Sequence, residues 1–105
     1  ANAVRMIEQY LLREGHDLIV ADFYFKRKDF WAAAARYRGV WQGYAGLGFD
    51  ARSQFMEGSC YESLVKSELA TNLYTQAVAR TDDPEYVQKA QARLGLYGIA
   101  ASFDA

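Results

Sequence analysis

Cysteine and proline are all but missing from this chain: Cys60 and Pro84 are the only ones. A lone cysteine excludes an internal disulfide, which suits the cytosol and equally a periplasmic domain that uses none. No apolar run approaches the roughly 20 residues that a membrane span requires. The longest weakly polar stretch, residues 31–35, is alanine-rich and is followed at once by Arg36. An excess of positive charge is missing too. Twelve basic side chains face thirteen acidic ones, a formal net charge of −1, whereas a nucleic-acid binder is expected to concentrate basic groups in a patch. Neither a signal peptide nor a lipidation cysteine opens the sequence. It begins Ala1-Asn2-Ala3 inside what already reads as a helix, so the chain is taken as a fragment or a processed piece.

What is present is a helical, aromatic-rich pattern on 105 residues, about one domain's worth. Half of the residues are hydrophobic, and eight Tyr, six Phe and two Trp supply large buried areas. Apolar residues recur at spacings of three and four, never in strict alternation. Ile7, Tyr10 and Leu11 start one stripe; Ala33, Tyr37, Val40 and Trp41 form another; Leu69, Ala70, Leu73, Tyr74, Ala77 and Val78 a third. This periodicity predicts an all-α fold with helices near 3–13, 16–28, 30–43, 51–65, 67–81 and 84–97. Asp29 and Asp50 are expected to cap the third and fourth of these through their side chains. Asp83-Pro84-Glu85 is a strong start signal for the last. Gly46-Leu47-Gly48 is the one loop of any length.

The most specific signal is an internal repeat. Tyr24, Ala33, Tyr37 and Val40 recur as Tyr61, Ala70, Tyr74 and Ala77, each mark shifted by 37 residues. That is close to the period of about 34 residues of tetratricopeptide repeats, whose pattern runs aromatic, alanine, aromatic. The Gly46–Gly48 loop accounts for the surplus. The alanine is expected where the two helices of a hairpin cross, because only a small side chain lets the backbones approach. Gly58 stands three residues before Tyr61, where the pattern calls for glycine. One hairpin cannot bury its apolar face alone, so antiparallel hairpins are expected to stack as a short superhelix. The whole chain, 1–105, then forms one tetratricopeptide-like domain, with repeats at about 16–49 and 50–82 and flanking helices at 3–13 and 84–97.

The stretch from His16 to Val40 resembles the BamD (YfiO) family, the tetratricopeptide lipoproteins of the bacterial outer-membrane assembly machine. The matching residues are His16, Asp17, Val20, Ala21, Phe23, Tyr24, Lys26, Arg27, Phe30, Ala33, Arg36, Tyr37 and Val40. Beyond Asp50 the likeness fades to repeat character. Two turns depart from the family pattern: Tyr44-Ala45 stands where the family usually has Tyr-Pro, and Lys28 where it often has glycine. The resemblance implies the family's C-terminal repeats, which dock onto the periplasmic domains of the barrel-assembly protein and onto other lipoprotein subunits. It implies a periplasmic, outer-membrane-associated setting for the full-length protein, with membrane contact only through an anchor outside this chain. A cytoplasmic setting is the alternative, as a generic repeat adaptor or sensor domain.

No residue pattern calls for catalysis, a cofactor or a metal. His16 has no nucleophile motif beside it, and one His with one Cys is poor evidence for a metal site. Cys60 reads as a small buried hydrophobe. The glycines of 39–48 lack the closing motif of a phosphate loop. Asp82-Asp83 fits capping better than acid–base work. Binding is the expected activity, on the first helix of each hairpin. The repeat alignment turns Leu18, Asp22, Phe25 and Lys26 inward in one unit, and Arg52, Phe55, Ser59 and Glu62 in the next. From these, with Arg27, the expected partner-binding set is Asp22, Phe25, Lys26, Arg27, Arg52, Phe55 and Glu62, with the two phenylalanines open to a packing role. An aromatic with flanking charges suits a protein groove. Lys26-Arg27-Lys28 with Arg36 and Arg38 forms a local basic cluster, either a solvated turn or a docking patch for an acidic protein surface or lipid headgroups. Self-association through an exposed end is a further expectation, since about three repeats are usually needed for stability.

Overall fold

A computed structural model describes residues 16–99. Among them are five helices and no strand: α1 over 16–26, α2 Phe30–Gly43, α3 Asp50–Ser63, α4 Ser67–Val78 and α5 Pro84–Leu96. The helix expected at 3–13 lies outside the described residues. Helix α3 packs between α2 and α4, and α5 packs on α4 and α3. The chain is therefore an all-helical stack of hairpins, α1–α2 then α3–α4, with α5 added as a first helix of a further unit.

The recurring small and aromatic residues share one core. Ala33 and Ala70, Tyr37 and Tyr74, Val40 and Ala77 are all fully buried in one core, joined by Leu18, Ala21, Cys60, Leu73, Ala90 and Leu94. The close approach expected at the hairpin crossing falls at Gly58. A Cβ there would meet Tyr74 Cε1 at 2.8 Å and the Ala70 carbonyl oxygen at 3.3 Å.

Four helices end earlier than the periodicity predicts, at 26, 63, 78 and 96 rather than 28, 65, 81 and 97. For three of them the reason is a turn. Lys28 and Val65, 37 residues apart, both adopt positive φ, 64° and 59°. In the first turn the Lys28 N–H donates to Phe25 O and the Asp29 N–H to Tyr24 O, both at 3.0 Å. In the second, Val65 donates to Glu62 O at 3.0 Å and Lys66 to Tyr61 O at 2.8 Å. This is the Schellman arrangement, whose left-handed residue is usually glycine. A third copy closes α5: Gly98 has φ 73°, Gly98 donates to Gly95 O and Ile99 to Leu94 O. Here alone glycine takes the left-handed position.

The capping expectations need correction. Asp29 and Asp83 occupy N-cap positions, but neither side chain makes a capping bond. Asp50 is the first residue of α3, with Phe49 at the N-cap. Its carboxylate reaches back to the loop and accepts the Gly46 N–H at 3.1 Å. The cap of α3 comes instead from a distant residue. Asp82, in the α4–α5 connection, accepts the Asp50 N–H at 2.7 Å and the Ala51 N–H at 3.2 Å. A carboxylate at the positive end of the helix satisfies two amides that have no intrahelical partner.

The hairpins divide the molecule into two edges. Trp31, at the start of α2, lies edge-on to Tyr61 near the end of α3, and Gln54, near the start of α3, meets Gln76 and Arg80 at the end of α4. All three Schellman turns therefore share one edge, and the 44–49 and 79–83 connections share the other.

Candidate functional site

Helices α1, α3 and α5 run side by side in the same direction. Arg52 and Phe55, early in α3, reach Tyr86, early in α5; Glu62, late in α3, reaches Arg93 and Tyr97. The face they share is the one on which the sequence pattern places the binding residues.

Two polar clamps cross this face, and they follow one plan. In the first, Asp22 on α1 accepts the Tyr37 hydroxyl from α2 and binds Arg52 of α3, Oδ2 to guanidinium at 3.0 Å. In the second, Glu62 on α3 accepts the Tyr74 hydroxyl from α4 at 2.6 Å, binds the guanidinium of Arg93 of α5, and takes the Tyr97 hydroxyl at 2.9 Å. Each clamp ties a first helix to its own second helix and to the first helix of the following unit. Ser59, the 37-residue counterpart of Asp22, still touches the Tyr74 hydroxyl at 3.3 Å; the tyrosine keeps its place, while the carboxylate and the arginine each stand one helical turn further along, at Glu62 and Arg93.

Electrostatics follows this wiring. Burial pushes the Tyr37 hydroxyl far up, and the bond to Asp22 adds to it. Tyr74 is raised in the same way, by burial and then by Glu62. For Glu62 the largest influence is burial, which favours the neutral acid. The bonds from Arg93, Tyr74 and Tyr97 together outweigh it and hold the carboxyl below the usual range. The Arg93 guanidinium is raised in turn by its bond to Glu62.

Of the expected partner-binding residues, the structure brings Asp22 and Arg52 into one clamp and puts Glu62 at the centre of the other. Phe25 and Phe55 are half-buried packing residues: Phe25 meets Phe30 edge-on at 5.5 Å, and Phe55 sits between Tyr74 and Tyr86 at 5.4 and 5.7 Å. Leu18, expected to face inward to a groove, is a core residue. Lys26 and Arg27 are exposed at the first turn, away from the clamps, with the Arg27 guanidinium over the Phe23 ring at 5.4 Å. Arg38 is set apart from the basic cluster by an ion pair with Glu57.

Glu57 is the site residue that sequence reasoning missed. Its side chain is fully buried and accepts bonds from Arg38 Nε at 2.9 Å, Trp41 Nε1 at 2.7 Å and the Tyr61 hydroxyl at 2.7 Å. The only sequence signal was its position four residues before Tyr61, on the same face of a helix. Beside it, Cys60 is fully buried, and its thiol is pushed up to about 12, first by burial and then by the Glu57 charge. At neutral pH it is a protonated, inert packing group.

One concavity among the described residues lies at the loop edge. A cavity of about 260 Å³ is lined by Gly46, Asp50, Ala79, Arg80, Thr81 and Asp82. Among the described residues no group of three or more His, Cys, Asp or Glu is placed to hold a metal ion, and no helix is long and apolar enough to cross a membrane.

Comparison of the chain with protein-family models, with curated proteins and with solved structures returns no match.

Proposed function

We propose that this chain is a non-catalytic scaffold that binds other proteins through the α1–α3–α5 face, a short tetratricopeptide-like array. The observation that carries this reading is the pair of clamps. They fix the spacing of three parallel helices and leave Tyr86, Lys89, the partly exposed Arg52 and the partly exposed Arg93 along one rigid face. Pre-set aromatic and Arg side chains are the groups that dominate protein-binding energy, and rigidity lowers the ordering cost of binding. The resemblance of residues 16–40 to the BamD family supports a partner among the barrel-assembly protein and its lipoproteins, in the periplasm. A generic repeat adaptor in another periplasmic or cytosolic complex is the second reading, favoured by the fading of that resemblance beyond Asp50.

The test is an affinity capture from cross-linked bacterial envelope extract with this chain as bait. Recovery of barrel-assembly components, lost on Lys89→Glu and Tyr86→Ser, is the expected result. Neither side chain takes part in the clamps. Lys89→Glu alters the face alone, whereas Tyr86→Ser also removes the ring contact with Phe55, so its Tm is measured beside the capture. Recovery of unrelated proteins alone would replace the assembly reading with the generic one.

A further inference from the structure

Exposed apolar side chains are not spread evenly over this molecule. Of the nine large hydrophobic residues that stand exposed among the described residues, seven lie on the turn edge: Phe23, Trp31, Val65, Leu69, Leu96, Tyr97 and Ile99. Ile19 lies one helical turn further along α1, and Leu47 alone belongs to the loop edge. The same edge gathers the exposed cations Lys26, Arg27, Lys28 and Lys66, none of which forms an ion pair among the described residues. The exposed acids there are Asp29 and Glu68, while Glu62 is already neutralised by Arg93. The loop edge carries the opposite balance: Asp82 and Asp83, with the buried Asp50, against Arg80, while Glu85 is paired with Lys89.

Val65 is the sharpest feature of this edge. It is 83% exposed and sits at φ 59°. A β-branched residue is the least suited of all to the left-handed region, and an apolar side chain gains nothing from standing in water. The corresponding position at the end of α5 is Gly98, so glycine fits this turn. Neither folding nor packing accounts for valine there. Strained positions of this kind gather where a surface is used.

We propose that the turn edge docks directly onto an anionic lipid bilayer, with Val65 and Trp31 entering the headgroup–acyl boundary and Lys26, Arg27, Lys28 and Lys66 meeting lipid phosphates. This goes beyond an anchor lying outside the chain, and it is independent of what the α1–α3–α5 face binds. Three protruding turns, each with its own apolar tip, favour a bilayer over a protein. A protein interface needs a packed, shape-complementary centre, whereas these tips are carried on three separate turns. A bilayer accepts separate apolar side chains one by one, anchors Trp and Tyr at its boundary, and draws basic residues to its surface. An acidic protein surface is the competing occupant.

Co-sedimentation with vesicles of phosphatidylcholine, alone or mixed with phosphatidylglycerol, tests this. Binding to the mixed vesicles only, weakened by salt, is expected. Fluorescence of Trp31, separated from that of Trp41 with Trp41→Phe, should shift to the blue on binding. The decisive variant is Val65→Gly. It relieves the backbone, so Tm should rise, and it removes the apolar tip, so vesicle affinity should fall about tenfold. Lys28→Glu with Lys66→Glu should lower affinity by at least as much, and Leu47→Asp on the loop edge should leave it unchanged. Equal binding to neutral and anionic vesicles, or wild-type affinity in Val65→Gly, would overturn the proposal. So would an absence of vesicle binding with capture of an acidic protein that the Lys28 and Lys66 changes abolish.

Discussion

The two hairpins share a backbone and differ in where they keep their carboxylates. The α1–α2 and α3–α4 turns repeat the same two hydrogen bonds and the same left-handed residue, 37 positions apart. Their buried chemistry does not repeat. The counterpart of the buried Glu57 is the half-buried Val20, and the counterpart of the clamping Asp22 is Ser59, its role taken over by Glu62 one turn later. Main-chain geometry is held by the small residues and tyrosines of the repeat. Side-chain polarity differs within that frame, while the second-helix tyrosines Tyr37 and Tyr74 each keep a carboxylate acceptor.

If the polar cluster unique to the second hairpin is structural, its loss should be the costliest single change in the molecule. Glu57→Leu removes a fully buried acceptor and strands the Trp41 and Tyr61 donors, while the half-exposed Arg38 loses its ion pair to water. A loss of about 3–5 kcal/mol is expected, read by urea denaturation. The counterpart change Val20→Ala should cost clearly less.

The helix crossing gives the next effect. Gly58→Ala drives a methyl group into the Tyr74 ring and the Ala70 carbonyl, and backbone cannot move aside. A loss of about 1–3 kcal/mol is expected by the same measurement. The reverse probe at the first crossing, Ala21→Gly, should cost only about 1 kcal/mol through helix propensity.

The second clamp should respond to acid. Glu62 has its carboxyl held below the usual range, so the stability it contributes is present above the unfolded value, near 4.3, and is lost as pH falls through the folded one. Denaturation of the wild type against pH should therefore show a decline in acid that Glu62→Gln flattens, by about 1 kcal/mol after allowance for partial exposure. In the opposite direction, the Tyr61 hydroxyl is pushed up to about 12, by burial and then by Glu57. The stability it contributes is full below the unfolded value and disappears as pH rises through the folded one.

The smallest expected effect concerns Cys60. Its thiol should react with a disulfide reagent only as fast as the chain unfolds, because burial and Glu57 hold it protonated. Fast reaction in native conditions would show that the second hairpin opens locally around Cys60.

Most of this fold was legible in the chain itself. Helix spans followed from the apolar spacing, and the Tyr24–Val40 and Tyr61–Ala77 marks fell where hairpins cross, because small and aromatic residues at a fixed period have few other uses. The turns were less legible. Lys28 and Val65 do not look like left-handed positions, since both carry side chains where glycine is the usual signal. Caps failed for another reason. Asp29 and Asp83 stood at the right places without bonding, while the working cap, Asp82, serves a helix that begins 32 residues earlier, and no local pattern encodes that. The site was half legible. Asp22, Arg52 and Glu62 were picked for their facing, and they do gather on one face, but as partners of one another. Glu57 was invisible because a lone acid in a helix reads as a solvated one.

The bond between Asp82 and the start of α3 has a consequence for how the chain is made and cut. During synthesis α3 emerges with its first amides bare, and they stay so until the ribosome has also delivered α4 and the segment after it. The second hairpin is therefore finished late, in one step, when its final loop folds back over its beginning. A proteolytic nick or a truncation between α4 and Asp82 would be felt at the far end of the hairpin, and any minimal version of this unit must be cut after residue 82.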